Sequence, residues 1–230
     1  MSSITIVHLY PRELGINGDV GNVTALAKRA EWRGMPVTIV NHEVGAELPA
    51  EAHLVHIGSG PASGQDLVRS DLERIAPTLR AWADAGTPFL AIAGGWQLLS
   101  RTVTDLDGTV REGVGIYPVD VTLIPNRTVD EVYATSELGD VAGFENHGSS
   151  FVADSTTRDL GDARGVVVGT RIGTNLHGPF LPMNPVWADR LLESAAALAG
   201  VAFGDDDGRC AVADDYAARS REAVRGRRRR

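Results

Sequence analysis

Short apolar strands alternate with helical segments over the first hundred residues, and this order restricts the fold more than any other feature of the sequence. Buried parallel strands are continuous apolar runs, and a helix connects each strand to the next. The alternation therefore predicts a doubly wound α/β fold with a parallel sheet and helices on both faces. The predicted strands cover residues 4–10, 37–40, 52–60 and 89–92, and the predicted helices cover residues 22–32 and 70–86, with Asn22 as a cap and Pro77 as a kink or break.

The middle of the chain has a different pattern. Residues 113–178 form short segments separated by glycines, with little helical period, and they predict antiparallel or mixed strands added to the sheet. An amphipathic helix follows at residues 184–200, with Asn184 as its cap and Pro185 at its first position. We therefore expect one domain over residues 1–204 and a C-terminal acidic, helical segment over residues 205–230, which ends in a disordered arginine-rich tail.

Charge and hydropathy narrow the functional classes. The formal net charge is −8, although the last six residues contain five arginines, and the remainder carries about −13. This balance disfavours a nucleic-acid-binding surface on the folded body. No apolar run approaches the roughly 18 residues of a membrane helix, and no signal peptide precedes the first strand, so we expect no membrane span and a cytoplasmic location. Lys28, the single lysine, belongs to no phosphate-binding loop, so any linked ATP-dependent step is expected to use another chain.

The stretch AIAGGWQLL has the pattern of a nucleophile-bearing turn. A strand meets the tight turn Ala93-Gly94-Gly95, and a helix pattern begins at Trp96. Enzymes of the α/β class hold a Ser or Cys nucleophile at the tip of such a turn, but here the tip is Ala93, whose methyl group cannot attack a carbonyl. The only cysteine, Cys210, lies in a late acidic stretch without a glycine turn, and we interpret it as an incidental thiol.

Two more glycine-bearing loops, near residues 58–60 and 177–178, fall at predicted strand ends, where α/β proteins bind ligands. Each alone is compatible with simple turn geometry, but together with the turn at Ala93 they fit an oxyanion-binding loop and an imidazole base. His177 is the better base candidate because it comes late, at the end of a strand, whereas His147 also fits a buried structural histidine. No two histidines have metal-ligand spacing on one element, so we expect neither a metal nor another cofactor.

Four segments together resemble class I glutamine amidotransferases of the CobB/CobQ-like branch. They are LYPRELGINGDVGNVTALAKRAEWRG, AIAGGWQLL, GFENHG and NLHGPFLPMNP, and they follow the order of that family from residue 9 to residue 185. The resemblance implies a flavodoxin-like sheet with a parallel core and added antiparallel strands. Within the branch, the chain is most similar to GatD-type glutaminase subunits, which supply ammonia to a separate MurT-type ligase.

The resemblance also implies a reaction, the hydrolysis of L-glutamine. The turn in that family reads like A-I-C-G-G-Y-Q, so Ala93 stands where the nucleophilic cysteine is expected, and His177 would activate the thiol and protonate the departing ammonia. A solvated surface arginine is an alternative interpretation of Arg127. The positions implied for binding the oxyanion and the substrate are Gly60, Gly94, Gln97 and Arg127.

Two departures from the family pattern matter. Many class I amidotransferases have a glutamate two residues after the catalytic histidine, where this chain has Pro179, and the resemblance implies that the MurT-type partner supplies the acid and the ATP site. Ala93 is either a Cys→Ala change that traps bound glutamine or a natural loss, and the chain as given is expected to be inactive. The alternatives are a natural non-catalytic scaffold or regulator, and an amidotransferase serving cobyrinate-like substrates.

Overall fold

A seven-stranded sheet and a five-stranded sheet organise the structure, a computed structural model that describes residues 2–177 and 179–228. The strands are β1 (Ile4–Leu9), β2 (Val37–His42), β3 (Leu54–Ile57), β4 (Phe89–Ile92), β5 (Ser100–Thr104), β6 (Val110–Glu112), β7 (Tyr117–Ser136), β8 (Gly139–Ala153), β9 (Arg158–Asp159), β10 (Gly165–Val168), β11 (Arg171–Thr174) and β12 (Leu176–His177). The helices are α1 (Val20–Trp32), α2 (Ala62–Asp84), α3 (Gly94–Leu99), α4 (Phe180–Met183), α5 (Pro185–Ala199) and α6 (Arg209–Arg228).

The larger sheet confirms the predicted parallel core. Its strand order is β2-β1-β3-β4-β11-β10-β9, and the first five strands are parallel, whereas β10 and β9 are antiparallel additions at one edge. Every residue of β3 and β4 is buried, as expected for strands covered on both faces. Since these strands run in the same direction, the loops that follow β1, β3 and β4 meet at one edge of the sheet.

The strands predicted as additions to one sheet divide between two: β9, β10 and β11 extend the larger sheet, whereas β7, β8 and β12 belong to a separate smaller sheet ordered β12-β8-β7-β5-β6. Its centre is the long antiparallel pair β7 and β8, whose register shifts between Leu123 and Thr128. This irregularity releases residues 124–127 from the ladder, as bulges do beside functional sites. The short strand β12 pairs with β8 at Leu176 and His177, and it thereby joins the end of the parallel core to the smaller sheet.

Two local predictions about the helices were wrong. Helix α2 begins at Ala62, eight residues before its predicted start, and Pro77 does not break it, because the lost N–H removes one hydrogen bond while the apolar face of the helix remains buried. Helix α1 begins at Val20 with Asp19 in the N-cap position, so Asn22 is not the cap. Asn22 lies inside the helix and is buried, and its Oδ1 accepts a hydrogen bond from the backbone N–H of Leu181 at 2.8 Å.

The start of α5 was predicted correctly, with Asn184 in the N-cap position and Pro185 as its first residue, but the side chain of Asn184 bonds the backbone of Ala142 and Phe180 and does not cap the helix. The arginine-rich tail was not predicted correctly, because Arg225 to Arg228 continue helix α6 rather than forming a disordered segment. Arg227 donates through Nε and Nη2 to the carboxylate of Glu131 on β7, both at 2.6 Å, and this pair holds the end of α6 against the smaller sheet. Residues 229–230 of that prediction lie outside the described residues. In the described part of the chain, no helix is both long and apolar enough to span a bilayer.

Candidate active site

Ala93 occupies a strained turn between β4 and α3. Its backbone angles are φ 41° and ψ −106°, in a region that residues with a side chain rarely adopt. Two hydrogen bonds of 2.8 Å hold this conformation: the N–H of Ala93 donates to the carbonyl of Thr174, and the N–H of Gln97 donates to the carbonyl of Ala93. The turn therefore has the strand–turn–helix geometry that presents a nucleophile, although the side chain at its tip is a methyl group.

Glycines allow three loops to pack backbone against backbone around this turn. A Cβ on Gly95 would lie 2.3 Å from the carbonyl oxygen of Gly58, and a Cβ on Gly58 would lie 2.2 Å from that of Leu14. A Cβ on Gly60 would lie equally close, at 2.2 Å, to the carbonyl oxygen of Glu13. Side chains at these positions would force the loops after β1, β3 and β4 apart, so the sequence permits this site only with glycine there.

His177 forms a buried pair with Asp19. Its Nδ1 lies 3.1 Å and 3.2 Å from the two carboxylate oxygens of Asp19, and neither side chain is exposed to solvent. The Oδ2 atom of Asp19 also accepts a hydrogen bond from the backbone N–H of Ser59 at 2.9 Å. Burial raises the pKa of the Asp19 carboxyl, and these hydrogen bonds only partly offset that effect. With its Nδ1 proton directed at Asp19, the ring keeps Nε2 as a base, and no described residue bonds to that atom.

This pair corrects the expectation that the acid partner of His177 comes from another subunit. Asp19 stands 158 positions before His177, in the glycine-rich turn after β1, which the sequence indicated only as a turn. The parallel sheet brings the end of β1 next to the end of the β11–β12 segment, and the acid therefore comes from this chain. An aspartate directly after a buried strand, at the edge where the glycine loops meet, was the available signal.

A cleft of about 830 Å³ opens in front of the turn at Ala93. It is bounded by the loop after β3, by α3 and by the irregular stretch of β7, and His177 lies buried outside its lining. Five of the six predicted site residues line it, together with His147, whose place the sequence left open. These five are Gly60, Ala93, Gly94, Gln97 and Arg127.

Two backbone N–H groups at the cleft fit the predicted oxyanion positions. The N–H of Gly60 donates to no residue in the described ranges, and its carbonyl accepts from Gln65 Nε2 at 3.3 Å. The N–H of Gly94 makes one long contact, 3.4 Å to the hydroxyl of Ser59. Both donors are therefore free or weakly engaged beside Ala93, as groups that stabilise developing negative charge must be.

Arg127 is an exposed cation without an acidic partner among the described residues. Its Nη2 donates to the backbone carbonyl and to Oδ1 of Asn146 at 2.8 Å and 2.7 Å, and its Nε donates to the same Oδ1 at 3.3 Å. These acceptors fix the guanidinium without neutralising its charge. A carboxylate that enters the cleft could therefore form a charge-assisted bond with it, which a freely solvated arginine would be less prepared to do.

Gln97 lies one helical turn beyond Ala93, and only 8% of it is exposed. Its Nε2 donates to the hydroxyl of Ser149 on β8 at 3.2 Å. Cys210 is buried on α6, outside the cleft lining, and burial together with a hydrogen bond to Asp206 raises the pKa of its thiol to about 11. In the described ranges, no group of three or more potential ligands could hold a metal ion.

Comparisons with known proteins agree on one family. Residues 5–185 match the model of the CobB/CobQ-like glutamine amidotransferase domain. The lipid II isoglutaminyl synthase (glutamine-hydrolyzing) subunit GatD of Staphylococcus aureus is 34% identical over 215 residues, which are 88% of each chain. A cobyric acid synthase of Sphingopyxis alaskensis is 32% identical over 58% of this chain and 30% of its own length. A crystal structure of a glutamine amidotransferase aligns with a TM-score of 0.60 at 18% identity, over 85% of this chain and 99% of that one.

Proposed function

Because the chain belongs to the CobB/CobQ-like glutamine amidotransferase family, we propose that it is a glutaminase subunit whose cleft binds L-glutamine. The observation that carries the proposal is the strained turn at Ala93, set beside a buried histidine–aspartate pair and two available N–H donors. As given, the chain lacks a nucleophile, and we expect it to bind glutamine without hydrolysing it. A cysteine at position 93 would complete the machinery.

With that cysteine, the proposed reaction uses these groups in turn. His177 Nε2 takes the thiol proton, and the thiolate attacks the side-chain carbonyl carbon of glutamine. The N–H groups of Gly60 and Gly94 stabilise the resulting oxyanion. His177 then gives its proton to the nitrogen that departs as ammonia, and the thioester left on the cysteine is cleared by water. Asp19 keeps the ring in the required tautomer and stabilises the imidazolium while it exists.

The substrate would be held by its charged end. Arg127 pairs with the α-carboxylate of glutamine, since its guanidinium is fixed by Asn146 and has no acidic partner among the described residues. Gln97 lines the same cleft as Ala93 and Arg127, and it offers its amide to the bound amino acid.

The acceptor of the ammonia would lie on a partner. The relative from Staphylococcus aureus is named as one subunit of a lipid II isoglutaminyl synthase, which supports a two-subunit arrangement here. We propose a MurT-type ligase as the partner, with its own ATP site, that amidates the D-glutamate of lipid II in the cytoplasm. The lack of a G-x-x-x-x-G-K-[ST] loop in this sequence agrees with ATP binding elsewhere.

A non-catalytic scaffold is the second candidate, and Ala93 is the observation that favours it. Such a protein would keep the cleft, bind glutamine or the ligase, and release no ammonia. One reconstitution separates the two: Ala93→Cys and the unchanged chain are each combined with the MurT-type ligase, ATP, L-glutamine and lipid II. Amidation of lipid II in the reaction with Ala93→Cys, but not in the reaction with the unchanged chain, supports the proposal of a glutaminase subunit. Tight ligase binding by both proteins with no amidation by either supports the scaffold. A parallel reaction offers a cobyrinate and its synthetase in place of lipid II and the MurT-type ligase, and amidation there supports the third alternative.

A further inference from the structure

A buried glutamate stands behind the wall of the cleft and is not used by the mechanism above. The side chain of Glu145 on β8 is 1% exposed, and its Oε2 accepts a hydrogen bond from Arg164 Nη1 at 2.8 Å. Its other oxygen, Oε1, lies 3.4 Å from Nε2 of His147, within ion-pair distance, although that nitrogen has no hydrogen-bond partner among the described residues. Glu145 therefore faces His147 as an acceptor.

The contacts at Nδ1 of His147 show which ring nitrogen carries the proton. The backbone N–H of Ser149 donates to His147 Nδ1 at 3.4 Å, so Nδ1 is an acceptor and the proton of the neutral ring is on Nε2, toward Glu145. The hydroxyl of Ser149 lies 3.3 Å from the same Nδ1. Because Nδ1 of His147 can only accept, the hydroxyl of Ser149 donates its proton to that nitrogen. The oxygen of Ser149 can then only accept a further hydrogen bond.

The chain of hydrogen bonds ends at Gln97. Since the oxygen of Ser149 can only accept, it binds the NH₂ of the Gln97 amide, as the 3.2 Å contact from Nε2 shows. The carbonyl oxygen Oε1 of Gln97 is then directed away from Ser149. No described residue donates to that oxygen, and Gln97 lines the cleft. Donation therefore runs in one direction from Gln97 through Ser149 to His147, and the carboxylate of Glu145 lies at ion-pair distance from the nitrogen that carries the ring proton.

We propose that Glu145, His147 and Ser149 form a positioning relay that fixes the amide of Gln97 with its carbonyl oxygen toward the ligand. The relay rests on the proposed binding of glutamine in the cleft. Beyond that proposal, it specifies which chemical group of the ligand is recognised at Gln97. A carbonyl oxygen accepts hydrogen bonds, so this part of the cleft selects a ligand N–H donor. Glutamine has two such donors, the α-ammonium group and the side-chain amide.

Substitution of Glu145 by Gln keeps the size of the side chain but replaces the carboxylate oxygen that faces His147 with a donor. Because Arg164 can only donate, it binds the carbonyl oxygen of the new amide, and the NH₂ group of that amide then faces Nε2 of His147. Because the backbone N–H of Ser149 still donates to Nδ1, the proton on Nε2 then meets a second donor, which disfavours this ring position and loosens the contact between Ser149 and Gln97. Ser149→Ala instead breaks the relay and frees the Gln97 amide to rotate. Ser150 is an exposed serine at the next position of β8, and Ser150→Ala is the matched control.

The test is calorimetric binding to the unchanged chain and to the three variants. The ligands are L-glutamine, 4-carbamoylbutanoate, which lacks the α-ammonium group, and L-glutamate γ-methyl ester, which lacks the amide N–H. The unchanged chain should bind one analogue about tenfold more weakly than glutamine, and that analogue identifies the donor. In Ser149→Ala and Glu145→Gln this selectivity should fall to within about twofold, while Ser150→Ala retains it.

The outcomes separate the relay from a merely structural role. A structural defect would weaken glutamine and both analogues together and leave the selectivity ratio unchanged, and that result would overturn the relay while the proposed function stood. No binding of glutamine by the unchanged chain would overturn both. Nitrogen-15 NMR of the unchanged chain gives an independent readout, because the relay requires a protonated Nε2 and a bare Nδ1 on His147. The opposite tautomer would also overturn it.

Discussion

Asp19 Oδ1 lies 3.1 Å from His177 Nδ1, and both side chains are completely buried. The contact joins the N-terminus of α1 to the end of β12, and the backbone N–H of Ser59 fixes the carboxylate from a third loop. A histidine oriented in this way is prepared to act as a base before any partner binds. The histidine and its acidic partner therefore both belong to this chain.

The first prediction concerns the missing thiol. Isolated Ala93→Cys should release ammonia from L-glutamine without a partner, because Asp19 already orients His177. The unchanged chain should remain at background, a difference of up to roughly 10⁶ in turnover. A coupled ammonia assay measures this, with Ala93→Ser as a control that restores only a weak nucleophile. If Ala93→Cys were active only in the presence of a ligase, Asp19 would be insufficient and the acid would have to come from the partner.

The second prediction tests the role of Asp19 directly, in the Ala93→Cys protein. The N–H of Ser59 would hold the carbonyl oxygen of an asparagine, so Asp19→Asn directs an NH₂ group at His177 Nδ1 and forces the ring proton onto Nε2. We expect kcat to fall by roughly 10⁴ with little change in KM. Asp84→Asn, at an exposed position on α2, should have no effect. An equal loss in both variants, or a change confined to KM, would argue against an orienting role.

The third prediction concerns the charged end of the substrate. Arg127→Ala should weaken glutamine binding by the unchanged chain by about 1.5–3 kcal/mol, the contribution of a hydrogen bond to a charged group. Arg127→Lys should retain part of the affinity, since it keeps the charge and loses the two-pronged geometry. Titration calorimetry provides the measurement, and Arg219→Ala on the exposed face of α6 is the control. Unchanged affinity in Arg127→Ala would assign this residue to the solvated surface.

The fourth prediction concerns stability and pH. Burial raises the pKa of the Asp71 carboxyl, but hydrogen bonds from His42, Arg74, Tyr10 and the N–H of Gly45 outweigh that effect and lower it from 3.8 to about 2. A lowered pKa in the folded state means that ionised Asp71 stabilises the fold above about pH 4 and that this contribution disappears as the pH falls toward 2.

Asp71→Asn should therefore lower the free energy of unfolding by about 2 kcal/mol at pH 7. The difference from the unchanged chain should shrink steadily below pH 4, because the protonated carboxyl of Asp71 and the amide that replaces it offer similar groups to their neighbours. Urea denaturation at a series of pH values measures it, and Asp205→Asn, which is exposed, serves as the control. A difference that stays constant with pH would indicate that lost packing, and not lost charge, is responsible.

Several features of this protein followed from the sequence because they depend on neighbours along the chain. Apolar runs and helical spacing predicted the parallel core, and the sequence Ala93-Gly94-Gly95 between a strand and a helix predicted the tight turn. Pro185 predicted the start of α5, since its fixed φ and its missing N–H suit the first position of a helix. In each case the deciding interactions span a few residues, and residue type alone specifies them.

The arrangement of the site was decided only by the tertiary structure. Asp19 and His177 are 158 positions apart, and Gln97 and Ser149 are 52 positions apart, so no local pattern joins either pair. The parallel sheet aligns the end of β1 with the segment that carries His177, and the long strand β8 brings Ser149 and His147 to the end of α3. Hydrogen bonds then select partners by distance and direction in space. The sequence determined which chemical groups were available, and the pairing of strands determined which of them meet.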